Sequence, residues 1–439
     1  MRFVHRVASR WGGPARPALA LVLSIAAVAV HAAASKHLGV ATCSSSVCHG
    51  RLTAAASGQS NVALNEYAVW LKEDRHSQAY VVLTRPEAQR IAAKLGLGGA
   101  ASARECLDCH ADNVGSSLRG PKFQLRDGIG CETCHGGAEN WIEPHSKKGA
   151  THADDVARGM YPSETALGRA ELCLGCHAGT PDKFATHAMM AAGHPRLSFE
   201  LESFTTLQPP HFRRDDPSYL KRKGNIGGAT LWITGQMRAV VRQVALLQAW
   251  WNRNPGAFPE LALYDCDSCH HARSSAVWSR ERVGIGIGTM RLQTGHLVIL
   301  RAIAEALEGP AGAETLAQAT QALVQAGQRD ATAIRTAGER VVAFVNAREA
   351  WTRRAFTPEE VGNLRRTLLR YAASDRTSDL VAAEQVAMGV EVLSYASKDQ
   401  ESHRSEIDKL FEAVPGEKSQ KGFDPARFAA AARSVAGRF

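Results

Sequence analysis

The most regular apolar pattern in the chain begins just beyond its midpoint and predicts a long helix. From Ala229 onward the apolar positions are separated by three or four residues, at Ile233, Met237, Val240, Val244, Leu247 and Trp251. Residues with this spacing share one face of an α-helix. Pro255 and Pro259 cannot continue a helix, so we expect it to end before them.

The chain after Leu297 keeps the helical pattern and contains no cysteine. Apolar stripes predict helices over residues 297–309, 313–328, 330–352, 379–397 and 425–435. The sequence Thr357-Pro358-Glu359-Glu360 predicts another helix start, because it combines a capping residue, a first-turn proline and acids at the positive end. We therefore predict a helical bundle over residues 301–439, packed on the preceding region or on a partner.

The N-terminal 34 residues differ from the rest. Four arginines precede an apolar run of 13 residues over 18–30, and Ala32-Ala33-Ala34 follows. This layout is typical of a cleaved secretory signal; an uncleaved membrane anchor is the alternative, although the run is short for a span. We expect the mature protein in the periplasm.

Composition narrows the class of protein. Apolar residues make up 45% and charged residues 22% of the chain, as in a globular domain. The net charge is +9, and removing the four arginines of residues 1–34 leaves about +5. This modest excess does not predict a nucleic-acid partner.

The ten cysteines form five close pairs, and a histidine follows the second cysteine of every pair. Four pairs have the spacing C-x-x-C-H: Cys106, Cys109 and His110; Cys131, Cys134 and His135; Cys173, Cys176 and His177; Cys266, Cys269 and His270. This motif attaches haem c: both thiols bond the porphyrin, and the histidine gives the proximal iron ligand. Disulfides or zinc knuckles are alternatives, but neither explains the five histidines.

The first pair, Cys43 and Cys48 before His49, has a spacer of four residues. A spacer of small polar residues can loop outward while the two thiols keep their separation. We predict a fifth haem c here, with a disulfide as the alternative.

Eight other histidines lie among or just after the motifs and are candidates for the distal ligands of five haems: His76, His145, His152, His187, His194, His211, His271 and His296. His76 lies in a predicted helix. His187 and His194 are seven residues apart, which on a helix places them on one face, about 10.5 Å apart. There they can serve two neighbouring haems, or act as one ligand and one propionate contact. His271 directly follows His270, so it would reach a neighbouring haem or act in the second shell.

Several longer stretches around the motifs match a known family. They are Trp70 to His76, "GIGCETCHGG" at 128–137, residues 173–204 and "YDCDSCHH" at 264–271. Over about residues 40–300 the chain resembles the cytochrome c-554-like multihaem family, which is related to the octahaem hydroxylamine oxidoreductases. The resemblance implies His-ligated haems packed closely enough for rapid electron transfer. The chain has five motifs and no C-x-x-C-K, the motif of the lysine-ligated haem of nitrite reductases.

These features together predict a mainly α fold: a loop-rich multihaem core, in which the haems replace much of the apolar interior, followed by the helical bundle. The predicted divisions are a signal peptide at 1–34, four motifs in 35–228, a helix and the fifth motif in 229–300, and the haem-free bundle at 301–439.

The expected function is electron transfer between redox partner proteins, either periplasmic or membrane-bound quinol or cytochrome systems. An oxidoreductase with one open haem, acting on a small nitrogen or sulfur compound, is the alternative that the resemblance allows. A third hypothesis is a scaffold whose C-terminal helices bind a partner complex.

Overall fold

The computed structural model describes residues 35–56, 62–212, 216–253, 260–270, 289–374, 376–416 and 422–439. Residues 1–34, with the predicted signal peptide, lie outside these ranges, as does His271. The described chain is mainly α-helical, which confirms the predicted fold class. Its extended pairings are isolated bridges, for example between Tyr264 and Leu292.

The region that carries the first four motifs consists of short helices joined by loops. In chain order the helices are α1 (Glu66–Lys72), α2 (Ala79–Leu83), α3 (Pro86–Lys94), α4 (Arg104–His110), α5 (Cys131–His135), α6 (Ile142–His145), α7 (His152–Ala157), α8 (Ala166–His177), α9 (His187–Ala192), α10 (Leu201–Leu207) and α11 (Pro217–Lys223). Turns of 3-10 helix occur among them, including Val40–Thr42 and Arg75–Gln78.

The remaining helices are longer and pack on one another. They are α12 (Gly228–Arg253), α13 (Gly295–Glu308), α14 (Pro310–Ala326), α15 (Ala331–Asn346), α16 (Pro358–Ala372), α17 (Leu380–Ser397), α18 (Arg404–Glu412) and α19 (Pro425–Ala436). Their buried aliphatic and aromatic side chains form the largest apolar cluster of the described chain. A capping box between Thr357 and Glu360 starts α16 where the sequence predicts it.

Helix α12 joins the two regions. Its side chains Trp232, Ile233 and Val240 are completely buried. It packs against α8, which carries the fourth motif, and also against α13, α15 and α17 of the bundle. Residues Ser35–Phe439 accordingly form one compact unit. Among the described helices, none combines the length and apolarity needed to cross a bilayer.

Two predicted helical segments differ from the structure. Helix α1 ends at Lys72, and His76 lies in a separate 3-10 turn because the Asp74 carboxylate accepts its backbone N–H. Helix α9 ends at Ala192, since Gly193 has φ 122°. His194 therefore lies beyond the helix that begins at His187, and the two do not share a helical face.

Candidate haem-binding sites

Each cysteine pair and its following histidine define one site. In chain order they are site 1 (Cys43, Cys48, His49), site 2 (Cys106, Cys109, His110), site 3 (Cys131, Cys134, His135), site 4 (Cys173, Cys176, His177) and site 5 (Cys266, Cys269, His270). The motifs of sites 2, 3 and 4 each occupy the last turn of a helix, in α4, α5 and α8. Residues at positions i, i+3 and i+4 share one helical face, so both thiols and the imidazole project to the same side.

In sites 1 and 5, which are not α-helical, a backbone hydrogen bond also joins the histidine to the first cysteine. In site 5 the N–H of His270 donates to the carbonyl oxygen of Cys266 at 2.8 Å. In site 1 the N–H of His49 donates to the carbonyl of Cys43 at 3.1 Å, although two more residues lie between them. The extra residues loop outward, and Val47 is 82% exposed. The longer spacer thus retains the backbone hydrogen bond between the first cysteine and the histidine.

All ten cysteines lie within the described ranges, and none of them forms a disulfide. Cys43 and Cys48 do not form the disulfide that the sequence left open as an alternative. In the described part of the chain, no three His, Cys, Asp or Glu side chains converge as a zinc site requires.

A second histidine lies opposite the motif histidine in each of the five sites. Distances between ring centres are 6.3 Å for His49–His145, 6.4 Å for His110–His194, 6.4 Å for His135–His211, 6.2 Å for His177–His76 and 6.2 Å for His270–His187. An imidazole nitrogen binds a metal ion at about 2 Å and lies about 1 Å from its ring centre, so two axial imidazoles on one ion have centres about 6 Å apart. The spacing of each of the five pairs therefore fits two imidazole ligands of one haem iron.

Hydrogen bonds fix the orientation of several of these rings. Nδ1 of His49 is 3.0 Å from Glu66, Nδ1 of His76 is 2.9 Å from Asp74, and Nδ1 of His145 is 2.9 Å from Asp155. Nδ1 of His110 and of His194 lies against a backbone carbonyl, at 3.1 and 2.7 Å. A ligand histidine usually donates its second ring N–H in this way, which leaves Nε2 for the metal.

Desolvation favours the neutral form of two motif histidines, His135 and His177. Desolvation lowers the pKa of His135 to about 4, and it lowers the pKa of His177 to about 4 as well. Both imidazoles are therefore neutral at pH 7 and have a lone pair available for a metal ion.

Two candidate histidines do not face a motif histidine. Nε2 of His152 lies 2.8 Å from Glu164, and Nδ1 of His296 lies 2.8 Å from the Gln236 amide oxygen inside the bundle. The third, His271, lies outside the described residues. The structure thus brings His76, His145, His187, His194 and His211 to the sites, and it leaves His152 and His296 apart from them.

The sites lie against one another in a different order from the sequence. The side chains of Cys43 and Cys131 lie close enough to shift each other's pKa, which places site 1 beside site 3. Those of Cys109 and Cys176 do the same for sites 2 and 4. Cys134 of site 3 lies close enough to Cys173 of site 4 to interact with it electrostatically. The neighbours are therefore sites 1, 3, 4 and 2, in that order.

The carboxylates around these sites were missed by the sequence reasoning. Glu132, inside the third motif, is buried and accepts the N–H groups of Leu38, Gly39 and Ala138 at 2.7, 2.7 and 2.8 Å. Its place between two motif cysteines gives no signal of this role. The role of Asp74 could have been predicted more easily than that of Glu132, because an acidic residue two positions before His76 is a common capping residue.

Comparison with known proteins finds a family match for part of this region. Residues 42–136, about one fifth of the chain, match the family described as cytochrome c554 and c-prime. The match spans sites 1, 2 and 3. No curated protein and no solved structure matched the chain.

The motif-bearing region is that of a c-type cytochrome with covalently bound haem. Residues 42–136 are similar to the cytochrome c554 family, and this match supports a multihaem c-type cytochrome in electron transfer.

Proposed function

We propose that the protein is an exported, periplasmic pentahaem cytochrome that transfers electrons between redox partner proteins. The observation that carries the proposal is the set of five histidine pairs with ring centres 6.2–6.4 Å apart, each beside a cysteine pair. Haem c, when bound, supplies reversible one-electron chemistry. The ten cysteines would anchor it, and the paired imidazoles would be the ligands of its iron.

An imidazole on both sides of each haem iron would favour electron transfer over catalysis. A haem that transforms a small nitrogen or sulfur compound needs one axial position for the substrate. Among the described residues, every motif histidine has a second imidazole opposite it, so the geometry supports the carrier and gives the oxidoreductase alternative no open position. His110 is a clear case, because His194 faces it at 6.4 Å.

The contacts between sites also support transfer along the protein. The side chain of Cys43 in site 1 lies near that of Cys131 in site 3, and the side chain of Cys109 in site 2 lies near that of Cys176 in site 4, since each pair shifts its partner's pKa. Thioether anchors that lie near each other would bring the edges of neighbouring porphyrins close together. Rapid movement of electrons requires such proximity.

The partners follow from the same proposal. Export by residues 1–34 would place the mature protein with periplasmic or membrane-bound quinol and cytochrome systems. The small positive charge of the mature chain, about +5, does not favour nucleic acid as a further partner.

Binding of carbon monoxide to the reduced protein tests the proposed ligation. Production in a host that matures c-type cytochromes should give a low-spin spectrum that carbon monoxide leaves unchanged. A response equivalent to one haem in five would instead support the oxidoreductase with an open haem.

A further inference from the structure

Two consecutive residues of the haem-free bundle hold a segment of the haem region. We call His194–Phe199 the junction segment; it belongs to no helix or strand. Glu384 of α17 forms an ion pair with Arg196 and accepts the Ser198 hydroxyl at 3.0 Å. The next residue, Gln385, donates its amide N–H to the carbonyl oxygen of Phe199 at 3.1 Å.

The junction segment lies at three of the five sites. His194 faces the site 2 histidine at 6.4 Å. The Phe199 ring stacks on His177 of site 4, with ring centres 4.4 Å apart and planes at 20°. Arg196 lies close enough to Cys266 of site 5 to act on it electrostatically. A shift of this segment would therefore disturb several sites at once.

The bundle also fixes the orientation of Gln385, which is 1% exposed. Its amide oxygen accepts from Gln236 of α12 at 2.7 Å, so its amide nitrogen is directed to Phe199. The Gln236 oxygen in turn lies 2.8 Å from Nδ1 of His296. This hydrogen-bond chain gives His296 a structural partner in the bundle, away from the sites.

We propose that Glu384 and Gln385 are positioning residues for the haem sites, and that holding the junction segment is one role of the C-terminal bundle. The inference rests on the proposed bis-His ligation. Removing either side chain frees the backbone between His194 and Phe199, which has no regular hydrogen bonding of its own. His194 then dissociates more readily from the position opposite His110, and the Phe199 ring loses its fixed contact with His177.

The test uses the full-length holoprotein and three variants. Glu384→Ala and Gln385→Leu remove the two contacts. Glu391→Ala is the matched control, because Glu391 lies on the same helix and interacts with Arg404 and Asp408 instead. Haem content is measured by mass, and carbon monoxide binding to the reduced protein is measured per haem. We expect unchanged haem content, an increment of up to one carbon monoxide per protein in the first two variants, and no increment in the control.

Two results would overturn this inference: no increment over the parent in either variant, or an equal increment in Glu391→Ala. The test compares each variant with the parent, so it holds whatever amount of carbon monoxide the parent binds. Carbon monoxide binding by the parent itself would contradict the proposed bis-His ligation and not this inference. Should a variant fail to accumulate, Ser198→Ala removes one hydrogen bond of Glu384 and should give a smaller increment. A bundle that only docks partners predicts unchanged spectra throughout.

Discussion

His145, and not the nearby His152, lies opposite His49: the two ring centres are 6.3 Å apart and the ring planes differ by 20°. The carboxylate of buried Asp155 holds Nδ1 of His145 at 2.9 Å. His152 instead contacts Glu164 at 2.8 Å. These two histidines follow the same motif and are seven residues apart, yet they have different partners.

Replacing these two histidines separates their roles. We expect His145→Ala to leave one haem without its distal ligand, so that carbon monoxide binds about one haem in five after reduction. His152→Ala should leave carbon monoxide binding unchanged, because its ring is directed to Glu164. Equal spectra for the two variants would contradict the assignment of His145 to site 1.

Glu132→Ala should strongly destabilise the protein. The substitution leaves three N–H groups, those of Leu38, Gly39 and Ala138, without their acceptor. A buried unsatisfied donor costs about 1–3 kcal/mol, so we expect a loss of at least about 3 kcal/mol in the free energy of unfolding. Urea denaturation followed by circular dichroism measures it. The exposed Glu401→Ala is the control, with an expected change within about 0.5 kcal/mol.

Breaking the buried ion pair next to site 5 should lower the free energy of unfolding far more than breaking an exposed pair. Arg291 is 5% exposed and contacts Asp265 at 2.6 Å and Ser378 at 2.8 Å. Removing one partner of a buried pair costs about 3–5 kcal/mol, so Arg291→Met should lower the free energy of unfolding by that amount. Arg253→Met breaks an exposed pair with Asp182 and should cost less than about 1 kcal/mol. Similar losses in urea denaturation would refute this ranking.

Glu200 should make stability depend on pH. Burial raises its pKa to about 7 from the ordinary 4.5. A carboxyl with a raised folded-state pKa binds its proton more tightly when folded, so its stabilisation is complete below pH 4.5 and is lost as pH rises to 7. The loss is about 3 kcal/mol.

Glu200→Gln should remove this dependence. We expect the difference in unfolding free energy between pH 4.5 and pH 7.5 to shrink by about 2–3 kcal/mol relative to the parent. Glu339→Gln, at an exposed position of α15, should keep the parental difference. Parallel pH profiles for the parent and the Glu200 variant would show that this carboxyl does not titrate in the expected range.

Local sequence patterns predicted the parts of the fold that depend on local physics. The three- and four-residue apolar spacing predicted α12, and Thr357 with Glu360 predicted the start of α16. The helix over His187 and His194 was wrong, because Gly193 adopts positive φ and ends α9. A glycine between two candidate ligands was the available signal.

The pairing of histidines depends on contacts between distant segments, so it was beyond sequence reasoning. The ring centre of His211, which follows Pro209 and Pro210, lies 6.4 Å from that of His135. His296 lies after the last motif but bonds to Gln236 of the bundle. No local spacing distinguishes these two outcomes, because loop paths and helix packing decide which imidazole reaches a motif.

Iron anomalous diffraction from crystals of the matured protein is the most direct test of the account. We predict five iron positions, one between the rings of each pair: His49 and His145, His110 and His194, His135 and His211, His177 and His76, and His270 and His187. Fewer than five irons, or an iron with no imidazole on its far side, would contradict the pentahaem bis-His electron carrier.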